Sequence, residues 1–289
     1  MNKRRYLSEG SRATSFCASL LFLLLALFVT DIAVAGDSTG SKAHSERETR
    51  TPRIDFSGNR AFSSEKLLEV LLSGKQRWFT ESGSLNPDFV YGGSDDLAAF
   101  YYDKGFLDVQ VDQPQIASAD RATISIHEGP LFRIGSIAIE GQLRFPQRDV
   151  ESQLTMRSGQ PFQASTFQRN VLALSNFYAD RGFAFVLIDP RTKIDSNRNL
   201  IDVRFFIKPG DEIRIDRIMI TGNTTTPERV IRAALRIHEH ELYSARAFHE
   251  SIARLIQLNL FSDTHITTEF SPKPDEINVR VTIVEKSKV

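Results

Sequence analysis

The residues that could do chemistry are few and scattered. His238, His240 and His249 fall within one stretch, where a His-Glu-His triplet invites comparison with a metal site. A closed metal site needs three or four ligands converging from fixed directions. This stretch offers neither a cysteine nor a clear fourth ligand and sits at a helix-end loop, so the histidines read as solvated. Asp95 and Asp96 make a paired carboxylate, the chemistry of general acid and base work. Adjacent residues on a helix do not face each other, and negative charge at a helix start is favourable by itself. The sequence contains no His-Glu-x-x-His and no phosphate-cradling glycine loop. The expectation is a protein with no catalytic residues, no cofactor and no metal, whose function resides in its surfaces.

The elements that carry those surfaces begin after a leader. Lys3, Arg4, Arg5 and Arg12 precede an apolar run from Ala18 to Val29, which ends in Ala33-Val34-Ala35. Residues 1–35 therefore read as a signal peptide. The run is short for a membrane span of roughly 20 residues, and the alternative is an uncleaved anchor. Both readings put the bulk of the chain outside the cytoplasm. The single cysteine, Cys17, would leave with the leader, so the exported chain is held by apolar burial without disulfides. Without the leader, 36 basic against 36 acidic residues become 32 against 34. That balance argues against a nucleic-acid partner, which needs a basic face. Residues 36–51 hold no large apolar side chain and read as a flexible linker. The remainder is long enough for two or three small cores.

Self-similarity organises that remainder. An alternating apolar segment runs into glycine three times, at Gly58, Gly141 and Gly222, which are 83 and 81 positions apart. A helix-into-turn signature also recurs three times: LAAFYYDKGF, LSNFYADRGF and ARLIQLNLF, whose Gly105, Gly182 and Asn259 are 77 and 77 apart. Each unit reads as strand, helix, helix, strand, strand. The opening strands carry Ile54 and Phe56, Ile137 and Ile139, and Ile218 and Ile220 at the period of two of a half-buried strand. Ser63 or Ser64, Pro146, and Thr226-Pro227-Glu228 signal first helices, the last with proline at the first helical position. Leu97, Phe100 and Tyr101, matched by Leu174, Phe177 and Tyr178, form the core face of the second helix. Gly105, Gly182 and Asn259 suit a left-handed helix end, and a strand is expected to follow immediately. The closing strands, Ile201 to Ile207 and Ile277 to Ile283, alternate apolar and polar residues, which puts one sheet face under the helices and the other in water.

GNRAFSSEKL, GNTTTPERV, FYYDKGF, FYADRGF and EINVRVTIVEK resemble POTRA (polypeptide-transport-associated) domains of the BamA/TamA class of outer-membrane protein insertases. The resemblance implies an α+β fold of three tandem β-α-α-β-β domains, each a three-stranded mixed sheet covered by two helices. The domains span 52–130, 131–210 and 211–289, and an insertion at about 75–93 interrupts the first. Insertases of this class continue into a membrane β-barrel, whereas this sequence ends at Val289. It is expected to be either a soluble POTRA array lacking that barrel or the front part of a longer insertase.

The resemblance also implies that the closing strand is central and the strand after the second helix is a free edge. Those edges are Phe106, Leu107, Asp108, Val109, Gln110, Val111 and on to Asp112; Phe183, Phe185 and Leu187, on to Asp189; and Thr264 to Phe270, including His265, Ile266 and Thr267. A free edge accepts an extended peptide by strand addition; the alternative is an edge blunted by charges such as Asp108 and Asp112. Trp78, Phe79, Phe89 and Tyr91 in the insertion either cover the sheet or form a contact patch. The implied partners are unfolded outer-membrane protein clients or an insertase complex, in the periplasm or at the periplasmic face of the outer membrane, with only indirect membrane contact. A second reading is a structural spacer or adaptor that touches fixed partners.

Overall fold

The computed structural model describes residues 53–73, 80, 84–86 and 91–286. The leader, the linker and the aromatics Trp78, Phe79 and Phe89 lie outside the described residues. Three sheets follow one another. In the first, β1 (Arg53–Ser57) pairs parallel with β4 (Arg121–His127), and β2 (Gln110–Val111) and β3 (Gln115–Ser118) both pair antiparallel with β4. In the second, β7 (Leu200–Lys208) lies between parallel β5 (Arg133–Gly141) and antiparallel β6 (Leu187–Asp195). In the third, β10 (Glu276–Glu285) lies between parallel β8 (Arg214–Thr221) and antiparallel β9 (Phe261–Phe270). The closing strand is central each time, its backbone bonding a strand on either side while its alternation buries one face. Ile201, Val203, Phe205 and Ile207 of β7 are buried, as are Ile277, Val279, Val281 and Ile283 of β10.

Two helices cover one face of each sheet. They are α1 (Ser64–Ser73) and α2 (Gly93–Asp103), α3 (Gln147–Glu151) and α4 (Ala164–Ala179), and α5 (Glu228–Ala234) and α6 (Ala245–Gln257). Leu67 and Leu71, spaced one turn apart, point inward from α1, and Leu97 and Tyr101 do so from α2. Phe167, Leu174, Phe177 and Tyr178 line α4, and Phe248 and Leu255 line α6. Three separate cores result, one per unit. Ser63 caps α1, its hydroxyl accepting from the Lys66 amide at 3.3 Å. Proline is not the first helical residue in the other two units. Pro146 and Pro227 precede α3 and α5 with ψ of 134° and 136°. The Thr226 amide is instead held by Glu285 at 2.6 Å, so α5 starts at Glu228.

The strand expected directly after the second helix is delayed. Phe106 and Phe183 turn back, their amides bonding to Tyr101 O and Tyr178 O at 3.1 and 3.2 Å. Val109 and Val186 close the next turn onto Phe106 O and Phe183 O. Phe106, Val109 and Phe183 are buried core residues, not edge residues. Apolar burial of these side chains outweighs extension of the backbone here. The edge strand of the second unit therefore starts at Leu187 and runs on to Asp195. In the first unit the edge is broken in two. Val111 faces Ile126 and Gln115 faces Thr123, so one extra residue bulges between them, beside Pro114.

The same turn joins consecutive units. The amide of Phe132 donates to Gly105 O at 2.9 Å, and that of Ile213 donates to Gly182 O at 2.8 Å. Asp103 accepts from the Ser165 amide at the start of α4 (2.8 Å), and Asp180 accepts from Arg246 at the start of α6 (2.7 Å). Leu107 packs on the second core and Ala184 on the third. Each of these pairs lies one repeat apart in sequence.

Candidate functional site

The six turn landmarks hold the architecture open in the intended places. Gly58, Gly105, Gly141, Gly182, Gly222 and Asn259 all have positive φ. At Gly58, Gly141 and Gly222 a side chain is doubly excluded. A Cβ there would stand 2.1, 2.2 and 2.0 Å from the carbonyl oxygens of Ile126, Ile207 and Ile283. The opening strand can thus leave the sheet hard against the end of the closing strand, which keeps the first helix over the core.

The surface with unused bonding capacity is the sheet edge. On the parallel side, β5 and β8 are partly covered. Phe132 and Ile134 exchange hydrogen bonds with Gly159, Gln160 and Phe162, and Ile213 and Ile215 with His240, Glu241 and Tyr243. On the antiparallel side, β6 and β9 pair with β7 and β10, and no second strand flanks them among the described residues. These outer edges are nine and ten residues long. Pro190 lies within β6, where an edge tolerates the missing N–H. Charge lines both strands, with Arg191 against Asp189 at 2.7 Å and His265 against Asp263 at 2.9 Å. Such exposed pairs add little stability, and charges of this kind discourage uncontrolled edge pairing.

An apolar patch joins the two edges. Phe185, just before β6, stacks on Phe270, the last residue of β9, with ring centroids 6.2 Å apart and planes at 24°. Both rings remain largely in water, at 56% and 86% exposure, and Leu187 beside them is 55% exposed. Leu187 opens the β6 edge and Phe185 precedes it, outside the strand expected to hold it, whereas the pairing of Phe270 with a different unit carried no local signal. Of the remaining edge residues, Asp108 is exposed, Gln110 and Val111 form the whole of β2, and Leu107 serves the junction. His265 and Thr267 are exposed, and Ile266 packs on the third core. Tyr91 is exposed just before α2. The aromatics Tyr101, Phe177 and Tyr178 are buried, as core residues should be.

Among the described residues no three His, Cys, Asp or Glu side chains come together as a metal site. Among the same residues no helix is long and apolar enough to cross a membrane.

Three units in series, each with its closing strand in the centre and two helices on one face, define a tandem α+β repeat protein. The chain belongs to the POTRA family, described as a surface antigen variable number repeat, whose model matches residues 50–129, 132–210 and 213–286. It is 25% identical over 247 residues to the outer membrane protein assembly factor BamA of Nitratidesulfovibrio vulgaris. It is 26% identical over 244 residues to that of Neisseria meningitidis. Each match covers 81% of this chain and 31% of the relative, so the chain spans about a third of their length. Among solved structures, Haemophilus influenzae BamA POTRA3-5 superposes with a TM-score of 0.58 at 17% identity, covering 80% of this chain and 94% of that one. That superposition concerns the fold.

Proposed function

We propose that this chain is a periplasmic scaffold that holds extended polypeptide segments during outer-membrane protein assembly, by strand addition at the outer edges of β6 and β9. The observation that carries the reading is the pair of long antiparallel edges, each bonded on one side only and bridged by the exposed Phe185–Phe270 stack. Main-chain hydrogen bonds to such an edge are indifferent to sequence, and exposed apolar side chains beside it favour an alternating segment. A segment destined for a β-barrel has that alternation. The relatives named as outer membrane protein assembly factors support the setting, and the export-type leader supports the compartment. The short, bulged edge of the first unit is the least suited to this role.

Photo-crosslinkers at Leu187, Thr192, Thr267 and Phe270 in the exporting cell test it. Capture of many unfolded outer-membrane proteins from these positions, and not from Leu172 on α4, is the expected result. Capture of one or two defined partners would establish a fixed adaptor instead.

A further inference from the structure

The first and third repeats place a carboxylate at one equivalent position, and the second repeat leaves it out. In the first unit Glu128 follows the closing strand, and its Oε1 accepts from the amides of Arg60 and Ala61 at 2.8 Å each and from the hydroxyl of Tyr101 at 2.9 Å. In the third unit Glu285 holds the corresponding loop one residue further on. It accepts from the amides of Thr225 and Thr226 at 3.0 and 2.6 Å, and from the hydroxyls of Thr224 and Thr225 at 2.6 Å each. Aligning the repeats on Ile126, Ile207 and Ile283, whose carbonyls meet the landmark glycines, puts Pro209 at the position of these glutamates.

The partners of the missing carboxylate are still present. Tyr178 is the counterpart of Tyr101. Phe145 and Phe183 surround it at 5.3 and 5.9 Å, as Phe62 and Phe106 surround Tyr101 at 5.1 and 5.5 Å, edge to face in each case. Tyr178 is fully buried, and among the described residues its hydroxyl has no hydrogen-bond partner. Leu143 and Arg144 stand where Arg60 and Ala61 stand, and among the described residues their amides have no acceptor. In the third unit the tyrosine is replaced by Leu255 while the acid is kept. Positive charge borders the position: Arg144 is exposed, and the Arg181 guanidinium lies over the rings of Phe177 and Phe145 at 3.8 and 5.7 Å. A buried hydroxyl without a partner is unfavourable until an acceptor is supplied.

We propose that the second unit is a receptor for one carboxylate, supplied by a Glu or Asp side chain of a partner protein and held by the amides of Leu143 and Arg144 and the hydroxyl of Tyr178. A side-chain carboxylate is the occupant because glutamate side chains fill both sister positions. The proposal is independent of strand addition at β6 and β9.

Amide resonances of the 15N-labelled protein, titrated with a blocked Ala-Glu-Ala peptide, its glutamine counterpart, and inorganic phosphate, test it. Leu143 and Arg144 are expected to shift and saturate with the glutamate peptide, and not with the glutamine peptide or phosphate. Pro209→Glu, which places the carboxylate in cis, is expected to raise the melting temperature and weaken the peptide at least about tenfold. Tyr178→Phe keeps the test open should Pro209→Glu fold poorly. It is expected to weaken the peptide without lowering the melting temperature, whereas Tyr101→Phe lowers it. No shift with the glutamate peptide, a stronger response to phosphate, or equal destabilisation by Tyr178→Phe and Tyr101→Phe would each overturn the proposal.

Discussion

At the residue scale the molecule depends on backbone positions that admit no Cβ and on carboxylates that bind amides. Gly222 has φ of 88° and would bring a Cβ within 2.0 Å of Ile283 O, whereas Gly159 has φ of 83° and open space around it. Gly159→Ala is therefore expected to cost about 1 kcal/mol for the left-handed backbone alone, and Gly222→Ala at least about 2 kcal/mol more. Urea unfolding of the two variants measures the difference. Hydrogen bonds from the Thr224 and Thr225 hydroxyls and the Thr226 amide hold the Glu285 carboxyl far below its ordinary value of 4.5. A depressed folded-state pKa contributes stability above the unfolded value, and that stability is lost as pH falls towards the folded one. Thermal melts should thus show the wild type weakening as pH drops below about 4.5, and Glu285→Gln should show a shallower decline.

At the element scale, buried polar groups tie the second helix to the loop that follows the first. Asn170 of α4 is buried and accepts from the Thr155 amide at 2.6 Å. Ser251 of α6, one repeat later, accepts from the Arg236 amide at 2.7 Å. Asn170→Leu keeps apolar volume but leaves the Thr155 amide without its acceptor, so a loss of about 1–3 kcal/mol is expected by chemical denaturation. Ser251→Ala should lose less, about 1 kcal/mol, because Ser251 bonds only the Arg236 amide and Ala247 O, whereas Asn170 also bonds Thr155 Oγ1 and Thr166 O. The edge strands belong to this scale too. Their position was legible from the repeat, but their first residues were not, because Phe106 and Phe183 satisfy a local alternation while the core claims them.

At the scale of the whole molecule, one junction is used twice. Burial works against the charged form of Asp103, yet hydrogen bonds from Ser165 and the neighbouring Lys104 hold its carboxyl below the ordinary range. Its counterpart Asp180 grips the start of α6 in the same way. Removing that grip should free the units from each other without unfolding either. For Asp180→Ala, pulsed electron resonance between spin labels on Arg169 and Glu250 is expected to show a broader distance distribution. Asp189→Ala, which loses only an exposed pair with Arg191, should leave the distribution unchanged.

The amino-acid sequence alone determined the repeat, the order of elements within it and the six turn positions. Each of these follows from local physics: alternation, helical spacing, and the backbone freedom of glycine and asparagine. Tertiary structure decided what depends on distant partners. It showed which turns belong to the next unit's core and that Phe270 stacks on Phe185 of another unit. It also left Tyr178 without the acceptor that Tyr101 has. A side chain's period marks the face it occupies, but the group that meets it there is chosen by the packing of segments many tens of residues away.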